Sequence, residues 1–176
     1  MLAAGGAIEV LPDVLELNLS VVFCGSAASS RSASSRAYYA GPGNRFWMIL
    51  HKVGLVAERL APADYAKILH YSMGLTDLAK HKSGADSSLQ KRDYDRQALV
   101  EKIERYRPSW LAFNGKRSAS LFLERPVAYG VQSETCAGAG IFVLPSTSGA
   151  ARGFWCEEPW WQLAELVRMP RTGQSS

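Results

Sequence analysis

The chain has 176 residues, 47% of them hydrophobic and 20% charged, and carries a formal net charge of +4. That balance suits one globular domain with a sizeable core, and so small a basic surplus permits a polyanionic partner without demanding one. Cys24, Cys136 and Cys156 form no CxxC pair, and His51, His70 and His81 have no metal-ligand spacing; no disulfide framework, metal centre or cofactor is expected.

The N-terminal stretch "MLAAGGAIEVLPDVLELN" has no basic segment ahead of an apolar one. It reads as an extension over residues 1–18 rather than a signal peptide. No apolar run reaches the roughly 20 residues that span a bilayer, so a soluble cytoplasmic protein of bacterial type is expected. "LSVVFCG" is a continuous apolar run ending in glycine, the pattern of a strand buried on both faces. A loop rich in serine follows, with Ser26, Ser29, Ser30, Ser32, Ser34 and Ser35. Either it is a flexible surface loop, or something lies against its backbone. Phe46, Ile49, Leu50 and Val53 recur at helical spacing, and Gly54 stops that helix. A shorter helix is predicted over Tyr65 to Tyr71. "GLTDL", Gly74 to Leu78, is a short apolar element with a polar tip. Leu99, Ile103 and Tyr106 share one face of a helix from about Asp93 that Pro108 ends. "WLAFNG" is a second buried strand, Lys116 to Leu123 a helix, and "IFVLPSTSG" a third buried strand running into a polar loop. Glu157 to Val167 reads as the closing helix, with Trp160 and Leu163 inward. One domain is therefore expected over residues 19–168, with a disordered tail over 169–176.

Strands alternating with helices predict an α/β fold, a three-layer α/β/α sandwich with a mostly parallel central sheet. In such sheets ligands bind at the carboxyl ends of the strands. Three strand ends here are small or polar: Gly25-Ser26-Ala27, Asn114-Gly115 and Pro145 to Gly149.

"VFCGSAAS…YYAGPGNRFW", "GLTDL" and "VLPSTSGAAR" together resemble the uracil-DNA glycosylase superfamily, in particular its mismatch-specific group that contains Mug and thymine-DNA glycosylase. The resemblance spans roughly Leu19 to Val167. It implies a monomeric DNA repair enzyme that needs no cofactor, hydrolyses the N-glycosidic bond of deoxyuridine in single- or double-stranded DNA, and releases free uracil. Such an enzyme flips a nucleotide out of the stack. Short Gly/Ser loops supply it with backbone donors to phosphates, and fixed donors aimed at the departing base lower the barrier.

By position, the resemblance implies catalytic places at Ser26, Ala27, Asp77 and Ser148. It implies base contacts from Gly25, Ser29, Tyr39 and Asn114, with Tyr39 stacking on the uracil. It implies DNA contacts from Ser146, Thr147, Gly149, Ala150, Ala151 and Arg152. Two positions depart from the family pattern. Ala27 stands where the family places an asparagine that positions the attacking water. Ala150 stands where the family usually places a bulkier wedge. Asp77 is the acid of the matched motifs, and two roles are open to it: accepting the N3–H of uracil, or serving the water and the sugar cation.

Structural readings stand beside these. Tyr38 and Tyr39 also suit ordinary packing, Asp77 a helix cap or a solvent-facing acid, and Asn114 a tie to a neighbouring loop. "GFWCEEPWW" reads as core plus helix start. Arg92, Arg96, Lys102, Arg105 and Arg107 read as a solvated helix face. Cys24 reads as core rather than nucleophile. Other classes remain in view: a relative that binds uracil or abasic DNA without turnover, a glycosylase for hypoxanthine or mismatched thymine, and a nucleotide binder using "GSAAS" as a phosphate loop, which lacks any Walker or GxGxxG pattern.

Overall fold

The computed structural model describes residues 8–169. Five strands form one sheet: β1 (Val21–Ala28), β2 (Met73–Ser83), β3 (Trp110–Asn114), β4 (Gly130–Cys136) and β5 (Ala139–Leu144), in the order β2-β1-β3-β5-β4. β1 pairs parallel with β2 and β3, and β3 with β5, while β4 is an antiparallel edge strand on β5. The helices are α1 (Ser30–Ser35), α2 (Phe46–Lys52), α3 (Arg96–Tyr106), α4 (Lys116–Leu123) and α5 (Glu158–Arg168). This is the three-layer, mostly parallel architecture expected from the sequence.

The apolar strands are buried on both faces because each divides its residues between two cores. Val21 and Phe23 of β1 face a core with Phe46, Ile49, Leu50 and Trp160, supplied by α2 and α5. Val22 and Cys24 face the opposite core with Leu99, Ile103, Ala119 and Phe122, supplied by α3 and α4. Alternation in a strand dictates that split. Phe23 stacks on Trp160 at 5.9 Å and meets Phe46 edge-on at 5.2 Å. Fully burying each such side chain contributes about 1.5–3 kcal/mol.

Several boundaries differ from the sequence reading. "GLTDL" is the heart of an 11-residue strand rather than a short element. Residues 62–71 form a 3₁₀ segment instead of an α-helix, with Pro62 at its start and a kink at Asp64. The helix predicted from Asp93 begins at Arg96, where the Asp95 carboxylate accepts from the Ala98 N–H. Part of the serine-rich loop is ordered: Ser29 caps α1 by accepting from the Ser32 N–H, and the Ser32 hydroxyl accepts from the Ala40 N–H.

The described part of the expected N-terminal extension packs on the sheet. Leu11 and Val14 are buried in the first core, and Val14 exchanges two backbone hydrogen bonds with Leu75. Asp13 binds Lys80 at 3.0 Å and Lys102 at 2.6 Å, and accepts from the Thr76 hydroxyl. Burial alone raises an acid, but these partners hold Asp13 below the usual carboxylate range. Of the tail expected to be disordered, residues 170–176 lie outside the described residues.

Candidate active site

A cleft of about 680 Å³ opens at the carboxyl ends of β1, β2, β3 and β5, where a parallel sheet places its ligands. Its floor is built by strand register. Gly25 on β1 lies opposite Asp77 on β2. A methyl group on Gly25 would sit 2.6 Å from Asp77 Oδ1 and 3.4 Å from Tyr39 Oη. Glycine is therefore what lets the Asp77 carboxylate and the Tyr39 hydroxyl close over the β1 backbone.

Asp77 is only 5% exposed. Burial, the largest influence, raises its pKa to about 6, with Lys80 and Lys102 pulling it down and Asp13 pushing it up. Tyr39 stands at φ = 52°, a left-handed conformation that non-glycine residues rarely adopt. Its ring stacks on Phe46 with centroids 4.0 Å apart, so one face is already covered. Among the described residues its buried hydroxyl has no hydrogen-bond partner of good geometry; burial followed by the nearby Asp77 charge raises its pKa, against a smaller lowering influence of the Asn114 side chain. The same two influences push the Cys24 thiol well up, so Cys24 is a buried core residue and not a nucleophile.

The rest of the site is a clamp between loops. The Asn114 side chain, at the end of β3, donates to the Thr147 hydroxyl at 2.9 Å and accepts from the Thr147 N–H at 3.1 Å. The Thr147 carbonyl in turn accepts from the Arg45 N–H, and Asn44 Oδ1 accepts from the Phe46 N–H to start α2. The Gly149 backbone lies against Gly43, and a methyl on Gly149 would meet Gly43 Cα at 3.3 Å. The "GPGNRFW" and "LPSTSG" motifs are thus two halves of one contact. The Ser148 hydroxyl caps the 3₁₀ turn Gly149–Phe154 by accepting from the Ala150 N–H, and Ser146 Oγ accepts from the Ser148 N–H.

A family model for the uracil DNA glycosylase superfamily matches residues 12–165. The chain belongs to that superfamily. It is also similar to a solved solution NMR structure, that of a protein from Methanosarcina acetivorans provisionally named a uracil DNA glycosylase. The two share 26% identity with a TM-score of 0.62, over 90% of this chain and 94% of that one.

Most residues that the superfamily resemblance singled out converge here. Gly25, Ser26, Ala27, Ser29, Tyr39, Asp77, Asn114, Ser146, Ser148, Ala150 and Ala151 all line the cleft. The packing also gives four of the singled-out residues a definite structural place. Thr147, also at the cleft, is fully buried with its hydroxyl committed to Asn114, so it braces the second loop. Asn114 is that brace's other half, the loop tie that its place at a strand end allowed. Gly149 and Arg152 do not line the cleft; Gly149 serves the approach to Gly43, and Arg152 is exposed on the turn beyond it. Ala27 lies within β1 opposite Ala79, so its position adds no polar group to the floor.

The sequence reading passed over the rim. Arg31, Lys116 and Arg117 are exposed and line the mouth, as does Phe154. Lys116 and Arg117 directly follow the Asn114-Gly115 strand end, which was signal enough to find them. Phe154 was hidden within "GFWCEEPWW", taken as core. Trp160 is core, but Phe154 is 77% exposed and Trp161 43% exposed.

The orphaned hydroxyl gives a sharp expectation. Tyr39→Phe removes a buried group that has no well-formed hydrogen bond among the described residues, so the fold is expected to keep or gain stability in urea melts. Glycosylase activity is expected to fall about 2–10-fold, the worth of one hydrogen bond to the ligand. Unchanged single-turnover rates would remove the hydroxyl from the chemistry.

Proposed function

We propose that the protein is a DNA repair glycosylase of the mismatch-specific, Mug- and thymine-DNA-glycosylase-like group. It hydrolyses the N-glycosidic bond of deoxyuridine in DNA, acting as a monomer without a cofactor. The observation that carries this reading is the Asp77 carboxylate, buried over Gly25 beside an unpartnered tyrosine hydroxyl, at the bottom of a cleft with a basic rim.

In this reading the flipped uracil enters the cleft above the floor that Gly25, Asp77 and Tyr39 form. As the bond from C1′ to N1 breaks, its electron pair leaves with the base and positive charge grows on the sugar. Asp77 is ionised at neutral pH and opposes that positive charge. It also takes a proton from the attacking water, whose oxygen bonds to C1′; the proton then neutralises the departing base. A base poised near the operating pH suits this role. Asp77 thereby supplies, from β2, the water-holding function that Ala27 on β1 lacks.

The test is incubation with oligonucleotides carrying uracil, hypoxanthine or mismatched thymine, single-stranded and duplex, followed by alkaline cleavage at abasic sites. Strand scission is expected at uracil, with single strands used well. Ala150 puts only a methyl group at the mouth, too little to offset the few kcal/mol of unstacking that a duplex demands. Scission at hypoxanthine or thymine but not uracil would reassign the base. The binding-only reading draws support from Ala27, and it predicts retarded mobility with no scission.

The rim adds an electrostatic prediction. Arg31, Lys116 and Arg117 face the mouth, with Asp86 the acid among the rim side chains. The double substitution Lys116→Ala, Arg117→Ala is expected to lower the slope of log affinity against log salt by about 1.4 for single-stranded DNA. An unchanged slope would place the phosphates elsewhere.

A further inference from the structure

Among the described residues, the exposed large hydrophobics are Ile8, Leu17, Val131, Phe154, Trp161 and Met169. Of these, Phe154 lines the cleft. Leaving 77% of a phenylalanine in water at the mouth of a site forfeits the stabilisation its burial would bring. The residue that follows it does not share that exposure. Trp155 is half-buried, carries the Arg45 guanidinium 5.0 Å above its ring and packs toward Trp160. The ring of Phe154 thus stands free on an anchored support. Gly153, just before it, would meet nothing within 4 Å if it carried a methyl, so the space around the turn is open.

We infer that Phe154 is a stacking face for a nucleobase next to the one held in the cleft. This rests on the proposed reading of the cleft as the seat of a flipped base. Charge selects the partner. The mouth that Phe154 shares carries Arg31, Lys116 and Arg117, and Arg152 lies two residues away on the same turn. Cationic groups around an exposed aromatic ring fit a polyanionic strand with bases to stack. Ala150, at the opposite end of the turn, is too small for that work. When a base leaves the stack its neighbours lose a partner, and an apolar ring placed there replaces it.

The experiment is fluorescence anisotropy of labelled single strands carrying a tetrahydrofuran abasic analogue at the target position. One strand has bases on both sides of it, and two others lack the 5′ or the 3′ neighbouring base. Phe154→Ala is expected to bind the complete strand about 10- to 100-fold more weakly. On the strand lacking the stacked neighbour its loss should nearly vanish, because both changes remove one interaction. Phe154→Trp should keep the affinity. Equal affinity of Phe154→Ala and wild type on the complete strand overturns the inference, and so does an equal loss on all three strands. Stacking without release of base would sink the glycosylase reading alone. Release of uracil with no effect of Phe154→Ala would sink the stacking face alone, and wild-type protein that binds no strand would overturn both.

Discussion

Asp77→Asn and Asp77→Ala are each expected to slow uracil release by about 10²–10⁴-fold, the range for losing a positioned acid–base group. The losses should be similar, because both remove the charge. In the wild type the single-turnover rate should fall as pH drops through about 6, where the buried carboxylate takes up a proton. If instead asparagine retained most activity and alanine lost discrimination against cytosine, Asp77 would be reading the N3–H of uracil.

The same residue makes a stability prediction of opposite sign. Burial raises Asp77 from 3.8 to about 6, so the folded state binds its proton more tightly than the unfolded chain does. Ionisation therefore costs the fold stability, fully above pH 6 and not at all below about pH 4. The size is about 3 kcal/mol, from 1.36 kcal/mol per pKa unit. Asp77→Asn should accordingly melt higher than wild type at pH 7.5, with the advantage shrinking to nothing as pH falls to 4. A variant that is less active yet more stable is the mark of a residue kept for chemistry. Equal melting curves across that range would return Asp77 to a structural acid.

The second large effect is expected at Gly25. A methyl there would lie 2.6 Å from Asp77 Oδ1, closer than side-chain contacts allow, so the carboxylate has to move. The β1 backbone at Gly25 has no left-handed torsion, and alanine itself suits a strand interior better than glycine does. Gly25→Ala is thus expected to fold normally and to lose about 100-fold in single-turnover rate, as displaced catalytic geometry does. Combined with Asp77→Asn, it should add little further loss, because both act on one carboxylate. Independent, multiplying losses would show that Gly25 acts through something other than Asp77.

The mostly parallel α/β class, the two-faced burial of three strands and the strand ends that form the cleft were legible because they depend on local pattern. Val21 to Cys24, Trp110 to Asn114 and Ile141 to Leu144 are continuous apolar runs, and each ends in a glycine, an asparagine or a polar loop. What stayed hidden depends on pairing across the chain. β4 alternates exposed and half-buried residues at a sheet edge, and its hairpin turn is Ala137-Gly138 with both residues at positive φ. That turn usually announces itself as Asn-Gly or Asp-Gly, and alanine conceals it. Residues 10–14 carry no strand pattern, yet backbone bonds to Lys80 and Leu75 fix them. At the site, motif positions found Gly25, Tyr39 and Asp77. The burial of Thr147 and the exposure of Phe154 came from tertiary packing, which composition around "STSG" and "GFWC" does not encode.

The central claim is that this cleft breaks a glycosidic bond. The most direct measurement is the free base released from a single-stranded uracil oligonucleotide at stoichiometric protein, read by chromatography beside alkaline scission of the same strand. The account predicts uracil and abasic sites in equal amounts from the wild type, and both strongly reduced in Gly25→Ala and Asp77→Asn. Strand retained on the protein with no free uracil and no scission would contradict it and make the protein a binder of DNA.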